Sequence, residues 1–539
     1  TPGKILPEWG AALTVLVRWG ALHRSRQRVA RTRTQSWAAL APLRMSEGEL
    51  RREMALRSDE PAETEVDHTE LRFFTGGGAW LVLAGVVVSV LVFTPLLAWT
   101  TLGGGALLPL NHTVAGLWAE AAYGIRHAGL GTIGAADPFA AVVALIGTFT
   151  WWAPSQAMVV LWVLALPLAL LGGWFAATRV TDRAGLRIIA AIAWALAPTF
   201  LLSLQQGRPT GVIVHLLLPW LFAVGAVAFR SWGAAGAASL LLIAVLACAP
   251  VLALPLAVLW IVAIVLGRRG IARLLWLPVP ALVVFAPLIW QRGFVEARWW
   301  GLLADPGAVW AGPRAGVDAS ARAAVAAGFA DGGDAGWSAM FASLGWQGGT
   351  LVAFVLVAPL AVLALLSLLT PRIGAAAVLV GTALLGVGTA LGATLLFVQA
   401  VGEESIALWP GAGASLAWLG AIGAAMVAVQ GFGGTSWRPR LWWAAGIVAV
   451  SAIVLAAPTL ASLARGESHL TNGPGSTLPA YVAVAGVDDP GTRTLVLTPQ
   501  PDGGVAVRIV WGASETLGGQ STATSTARDA SDADRHIAE

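Results

Sequence analysis

Long apolar blocks separated by short polar gaps run through most of this chain. Several blocks reach or approach the ~20 consecutive apolar residues that an α-helix needs to cross a bilayer. The pattern predicts an all-α polytopic membrane protein with about eleven transmembrane helices. The predicted spans are about 79–100, 157–178, 186–204, 210–229, 233–248, 250–267, 274–290, 351–369, 373–398, 410–430 and 442–463.

Arginine occupies every second gap between these blocks. The gaps between the basic ones are nearly free of Lys and Arg, or hold long loops of mixed charge. Basic short loops stay in the cytoplasm, so the alternation predicts a multi-pass plasma-membrane protein with a cytoplasmic N-terminus and an extracytoplasmic C-terminus. The basic gaps are Arg179–Arg187, Arg230, Arg268–Arg273, Arg372 and Arg438–Arg440.

The block 138–152 is apolar but too short for a full span. If it crossed the membrane, every later arginine gap would face outward. We therefore interpret it as a re-entrant or interfacial segment, a kind of structure that short apolar stretches often form. The resulting topology places two long loops, 101–137 and 291–348, on the outer side. Gly388 and Gly392, four residues apart in one span, predict close helix packing.

The two ends of the chain differ from the membrane domain, 73–465. Residues 1–72 are basic at first and acidic later, and we interpret them as a cytoplasmic linker with an amphipathic helix at the end of a missing N-terminal domain. Residues 466–515 form an extracytoplasmic tail, in which TLVLTPQPDGGVAVRIVWG predicts a β-hairpin. The polar, low-complexity residues 516–539 predict disorder.

Composition narrows the class further. The chain is 57% hydrophobic and 12% charged, whereas soluble domains carry roughly 25% charged residues. The net charge of +4 comes mostly from arginines at the predicted membrane surface. Membrane lipid is therefore the expected partner and nucleic acid is not; the oligomeric state stays open. The near absence of acids from the apolar blocks argues against an ion-coupled pump.

The first outer loop gathers the candidate catalytic groups. A carboxylate there could act as general base on an acceptor hydroxyl or bind a divalent cation through its oxygens. The alternative is that Asp137 only caps the following helix and the others are solvated loop residues. The residues concerned are the carboxylates Glu120 and Asp137, the imidazoles His112 and His127, and Arg126.

Two further residues are candidates for substrate binding. Arg208 lies in a short outer turn, against the charge rule, where its guanidinium could bind the phosphate of a lipid carrier; the alternative is an ordinary headgroup contact. His215 lies near the outer end of the next span. An ionisable residue at that depth is a functional candidate, and a neutral histidine bonded to a neighbouring helix is the alternative.

Two stretches resemble actinobacterial envelope glycosyltransferases. Residues 21–72, followed by LRFFTGGGAWLVLAGVVV, resemble the junction between a cytoplasmic family-2 catalytic domain and a multi-span region. The run AIAWALAPTFLLSLQQGRPTGVIVHLLLPWLFAVGA (191–226), with its "ALAP" and "LPW", resembles the GT-C arabinofuranosyltransferases. The resemblance implies a polyprenyl-phosphate-linked sugar donor and an acidic catalytic residue in the first outer loop, which on this chain is Asp137 or Glu120.

The resulting hypothesis is the membrane part of a cell-envelope glycosyltransferase that acts on a lipid-linked sugar or glycan by hexosyl or pentosyl transfer. Arg126, Arg208, His112 and His215 would bind substrate, and the metal requirement stays open, with a divalent cation as one option. The rival hypotheses are a non-catalytic conduit or flippase, and an anchor for a missing cytoplasmic glycosyltransferase domain. A conduit needs a polar groove that runs through the bundle, which a structure can reveal.

Overall fold

The structure is a computed structural model. It divides the chain into two compact units, Thr1–Arg72 and Phe73–Glu539. The first unit, including the predicted linker and amphipathic helix, lies outside the described residues except for Gln27. The structure describes 27, 73–74, 76–122, 125–127, 133–266, 270–313, 316, 318–346, 348–401, 404–432, 438–489, 491–499 and 505–526.

The second unit is mostly helical. Its α-helices are α1 Gly78–Val92, α2 Val114–Glu120, α3 Phe139–Thr148, α4 Gln156–Ala177, α5 Ala184–Ala195, α6 Pro198–Gln205, α7 Pro209–Gly225, α8 Trp232–Cys248, α9 Ala253–Leu266, α10 Ile271–Trp276, α11 Val279–Ile289, α12 Ala319–Ala326, α13 Trp337–Ala342, α14 Gly349–Leu366, α15 Ile373–Ala393, α16 Gly411–Gly431, α17 Arg438–Ala464, α18 Ala480–Asp488 and α19 Thr522–Ser525. Short 3-10 turns cover Thr94–Ala98, Pro250–Leu252, Trp299–Leu303 and Ser367–Leu369, and a π-helical turn covers Trp290–Val295.

The predicted number of eleven spans is not confirmed. Among the described residues, six helices are long and apolar enough to cross a membrane, or seven if α5 and α6, bent by 40° at a short break, form one span. The break follows from the sequence, because Pro198 cannot continue the hydrogen-bond ladder of α5. Other predicted spans are helices of 14 to 17 residues, including α1, α7, α8 and α9.

Small residues allow two helices to pack closely in the core of the bundle. They are not the pair that was predicted from sequence. Side chains at Gly388 and Gly392 would meet nothing within 4 Å, so the predicted close contact at these positions is wrong. The contact lies on another face of α15, where a Cβ at Gly386 would come within 2.3 Å of the backbone of Ala417 on α16. Small residues permit this approach of two helix backbones, and α16 is accordingly the most buried of the candidate spans, at 83%.

Segments from the predicted cytoplasmic gaps meet at one end of the bundle. Arg372 Nη1 donates to the carbonyl oxygen of Val180 at 3.4 Å. Arg273 Nη1 donates to the carbonyls of Phe229 and Arg230 at 2.8 and 2.7 Å. The arginines thus cover free carbonyls near helix ends, which they also favour electrostatically.

Segments from the predicted outer loops meet at the other end. Ala106 of the first loop donates its N–H to the carbonyl of Gly207 at 3.0 Å, and His469 of the tail donates its own to Gln205 at 3.0 Å. Strand β1 (Leu102–Gly103) pairs antiparallel with β6 (Thr471–Asn472) at this end. Which end faces the cytoplasm stays a prediction from the arginine pattern. We call the end that carries these loops the loop end.

The segment predicted to be re-entrant or interfacial contains α3, a helix of 10 residues. At 1.5 Å per residue it is about 15 Å long, about half the ~30 Å of a bilayer core. Phe149, Trp151 and Trp152 follow it and are exposed. Its length fits a segment that turns back rather than one that crosses.

The described residues also form four two-stranded antiparallel sheets, one of which is the predicted C-terminal hairpin. The remaining pairs are β2 Ile125–His127 with β3 Ile133–Ala135, β4 Phe397–Val401 with β5 Glu404–Ala407, and the hairpin β7 Arg493–Pro499 with β8 Val505–Trp511. After the hairpin, the described residues 514–526 return to the loop end, where Leu517 and Ala523 are buried. The structure differs here from the predicted disorder; residues beyond 526 lie outside the described part.

Candidate functional site

The turn between α6 and α7 carries Arg208 and is held by close backbone contacts. Gly207 has a φ of +66°, a conformation that favours glycine, and this lets the chain reverse just before Arg208. A Cβ at Gly105 of the first loop would come within 1.9 Å of the carbonyl oxygen of Gln206. The first loop therefore packs directly against the turn and fixes where the arginine lies.

The guanidinium of Arg208 is flanked by two tryptophans from distant parts of the chain. Its Cζ lies 3.8 Å from the ring centroid of Trp409 and 4.8 Å from that of Trp310. The Nε atom donates to Gln206 Oε1 at 3.1 Å, and neither Nη atom has a hydrogen-bond acceptor among the described residues. Cation–π contact with the two indoles thus orients a guanidinium whose terminal nitrogens remain available.

Two carboxylates complete the surroundings of Arg208. Loss of hydration raises the pKa of Asp305 to about 6, although the N–H of Trp409 and the charge of Arg208 oppose the shift. Asp305 Oδ2 accepts that N–H at 2.7 Å. Burial also raises the pKa of Asp331, whose Oδ2 accepts from Gln206 Nε2 at 3.4 Å.

Loss of hydration also lowers the pKa of Arg208, to about 10, and the charges of Asp305 and Asp331 oppose this shift. The guanidinium therefore stays protonated at neutral pH. A half-buried cation, a desolvated carboxylate and two indoles thus share one site.

These groups line an open cleft of about 880 Å³, a volume that includes its mouth. One wall is the loop 305–313. The other wall consists of residues between 394 and 410. Gln399 on β4 joins the walls, because its Nε2 donates to the carbonyl of Asp305 at 2.8 Å and is 3.3 Å from Ser525 Oγ of the C-terminal segment. Pockets that combine apolar walls with a few convergent polar groups are where small molecules bind.

The arrangement can bind an anion and move a proton. Arginine binds phosphate through paired N–H donors, and the two indoles add flat apolar surface beside it. A carboxyl with a pKa of about 6 is matched to general-base catalysis near neutral pH. Asp305 has such a pKa. Its Oδ1 has no hydrogen bond among the described residues and can therefore accept a proton.

Asp137 and Glu120, the predicted catalytic residues, form hydrogen bonds with the C-terminal segment. Asp137 is buried, and its two oxygens accept from the N–H and the Oγ1 of Thr522, both at 2.7 Å. Glu120 Oε1 accepts from Thr516 Oγ1 at 2.8 Å and from Asn111 Nδ2 at 3.0 Å. The structure thus assigns both carboxylates bonds that hold residues 516–526 against the loop end, and Asp137 does not cap α3, whose N-cap is Pro138.

The other residues of the first loop do not converge on Arg208 in the described structure. His112 is exposed just before α2. Arg126 and His127 lie on β2 opposite Gly134 and Ile133 of β3, and their side chains lie outside the described part. Among the described side chains, Arg208 is therefore not in contact with Glu120, Asp137, His112 or His215.

His215 lies in the interior of the bundle. It is fully buried, with its ring stacked between Trp194 at 3.7 Å and Phe200 at 4.4 Å. Its Nε2 is 3.1 Å from the carbonyl of Trp194, and its Nδ1 is 2.9 Å from Ser415 Oγ. A neutral ring that donates from Nε2 and accepts at Nδ1 satisfies both contacts. These contacts agree with the alternative interpretation, in which a neutral histidine is bonded to a neighbouring helix.

The metal requirement is not decided by the structure. Within the described ranges, no three His, Cys, Asp or Glu side chains come together as a metal-binding group. A carboxylate of the cleft could still supply an oxygen ligand together with a substrate phosphate, which is how magnesium is often held.

Sequence reasoning missed Asp305, Asp331 and the two tryptophans as neighbours of Arg208, and it missed Gln399, which bonds to the carbonyl of Asp305. Asp305 and Asp331 stand in the predicted outer loop 291–348, and Trp409 lies just before a predicted span. The sequence indicates only that these residues lie on the same predicted side of the membrane. This information could not distinguish them from the other polar residues of the same loops.

Comparisons with known proteins leave the family open. No protein-family model and no curated protein matches the chain. The chain is similar to a solved structure, the single-particle cryo-EM structure of the arabinofuranosyltransferase AftD from mycobacteria, with 18% sequence identity and a TM-score of 0.45. The match covers 77% of this chain and 29% of that protein, so this chain spans less than a third of its length.

Proposed function

We propose that this chain is the membrane part of a glycosyltransferase and that the cleft around Arg208 receives a sugar linked to a lipid phosphate. The observation that supports the proposal best is the guanidinium of Arg208, oriented by Trp310 and Trp409 and with both Nη atoms available, at the loop end of an apolar helical bundle. A phosphate is the anion whose geometry suits such a donor pair. A polyprenyl chain would lie among the apolar helices, which provide a lipid-like environment.

Asp305 is the proposed general base. Its carboxylate would accept the proton of the acceptor hydroxyl as the oxygen attacks the anomeric carbon, and the bond from that carbon to the phosphate oxygen would break. Arg208 would stabilise the departing phosphate through charge-assisted hydrogen bonds. The tryptophans would offer apolar faces to the sugar and the first prenyl units. The sugar, a hexose or a pentose, and the linkage stay open.

The rival hypothesis of a conduit gains less support. His215 lies seven residues beyond Arg208, which is about 10 Å along α7. At that level Trp194, Phe200 and Ser415 are buried around it. Buried side chains thus surround α7 two turns from Arg208, whereas a conduit that continued from the cleft along α7 would need a polar groove at that level. The role of an anchor for a cytoplasmic domain is compatible with catalysis at the cleft.

Binding of farnesyl phosphate to the purified full chain tests the proposal, with farnesol as the matched ligand that lacks the phosphate. We expect saturable binding of farnesyl phosphate, weaker binding of farnesol, and loss of the difference in Arg208→Gln. Asp137→Asn, at the same end of the bundle, is the matched control and should keep the difference. Equal binding of the two ligands by the unmodified chain would contradict the proposal.

A further inference from the structure

A second crevice lies toward the opposite end of the bundle, away from the Arg208 cleft. It is a shallow groove between α4, α5, α7 and α16, with an empty volume of about 350 Å³ that includes open solvent. Its lining is apolar and includes Ala176, Val180, Phe222, Leu419 and Met426. Such a space between apolar helices is suited to a hydrocarbon chain.

Two exposed arginines adjoin this crevice. Arg179 Nε donates to the carbonyl of Ala223, next to Phe222, at 2.9 Å. Arg372 Nη1 donates to the carbonyl of Val180, itself a lining residue, at 3.4 Å. Each guanidinium uses one nitrogen in this way, and its other nitrogens have no acceptor among the described residues. Two available cationic groups therefore lie beside one apolar crevice.

We propose that this crevice binds an anionic phospholipid. The phosphate would lie between Arg179 and Arg372, and part of one acyl chain would lie along the crevice. Charge selects this occupant over a neutral lipid, since basic residues at a membrane surface attract anionic headgroups. The site is independent of the glycosyl transfer proposed above, because it uses none of the residues of the Arg208 cleft.

Native mass spectrometry of the detergent-solubilised full chain, mixed with equal amounts of phosphatidylglycerol and phosphatidylcholine, tests this site. The unmodified chain should retain phosphatidylglycerol in preference. The double variant Arg179→Gln with Arg372→Gln should bind it roughly thirtyfold more weakly, about fivefold for each arginine. The charge-retaining pair Arg179→Lys with Arg372→Lys should keep most of the preference.

Arg230→Gln is the matched control, because Arg230 belongs to another predicted cytoplasmic gap and lies over the ring of Phe229. It should leave the preference unchanged. Ala176→Leu, which fills part of the crevice, should weaken retention while both arginines remain. Equal retention of the two lipids by the unmodified chain would overturn the proposal. Loss of the preference in Arg230→Gln to the same extent as in the double variant would also overturn it.

Discussion

Two pairs of carboxylates at the loop end of the bundle have opposite surroundings. Asp137 and Glu120 accept hydrogen bonds from the hydroxyls of Thr522 and Thr516 in the C-terminal segment. Asp305 and Asp331 instead lie near the cation of Arg208, and burial raises the pKa of each. From this difference we expect an acid of an outer loop to act as a base only where a carboxylate oxygen has no hydrogen bond, as at Oδ1 of Asp305 in the described structure.

The largest effect is expected at Asp305. Replacing it by Asn keeps the size of the side chain but removes the proposed base, so sugar transfer in membranes should fall by about 10²–10⁴-fold. Asp331→Asn is the matched control, since it also removes a negative charge that acts on Arg208. Its rate should fall much less. Equal losses in the two variants would assign the effect to charge rather than to proton transfer.

Arg208 should be next in magnitude. Arg208→Gln should weaken binding of farnesyl phosphate by about 10–150-fold, the range expected for a lost hydrogen bond to a charged group. Arg208→Lys should restore part of the affinity, because it keeps the charge without the planar pair of donors. Titration calorimetry of the purified chain measures both. If Arg208→Gln binds as tightly as the unmodified chain, the phosphate lies elsewhere.

The pH dependence of transfer should follow Asp305. Its pKa is raised to about 6 by loss of hydration, so the carboxyl is protonated below that pH and cannot accept a proton. The rate should therefore fall by about tenfold for each pH unit below ~6. The residual activity of Asp305→Asn should lack this decline. A decline that persists in the variant would assign the titration to another group.

The smallest effect on transfer is expected at Asp137. Asp137→Asn weakens two bonds to Thr522, so the free energy of unfolding should fall by about 1.5–3 kcal/mol, while sugar transfer stays within a few-fold. Thr522→Val, which removes the hydroxyl partner, should lower the thermal unfolding temperature in the same direction. Loss of transfer with unchanged unfolding would return Asp137 to the catalytic role that the sequence suggests.

The sequence was sufficient to predict features that depend on residues close together in the chain. The apolar blocks produce most of the helices, because a helix satisfies its own backbone groups in an apolar environment. The alternation of basic gaps separates the two ends of the bundle. Arg208 could be selected as a lone arginine in an outer turn, and the hairpin β7–β8 follows from its alternating pattern.

Sequence could not supply contacts between residues far apart in the chain. Asp305 and Trp409 are 104 positions apart, and Asp137 and Thr522 are 385 apart. The sequence around Asp137 does not indicate that a threonine of the tail will donate hydrogen bonds to its carboxylate. The polar composition of 516–526 suggested disorder, yet its hydroxyls are the donors that two carboxylates of the first loop require.

Photo-crosslinking tests most directly whether the Arg208 cleft receives the lipid phosphate. A photoreactive farnesyl phosphate would be bound to the full chain and irradiated, and the labelled peptides would be mapped by mass spectrometry. We expect labels in 305–313 and 394–410, the two walls of the cleft, and their loss in Arg208→Gln. Labels confined to the first outer loop near Glu120 and Asp137, unchanged in that variant, would contradict the account.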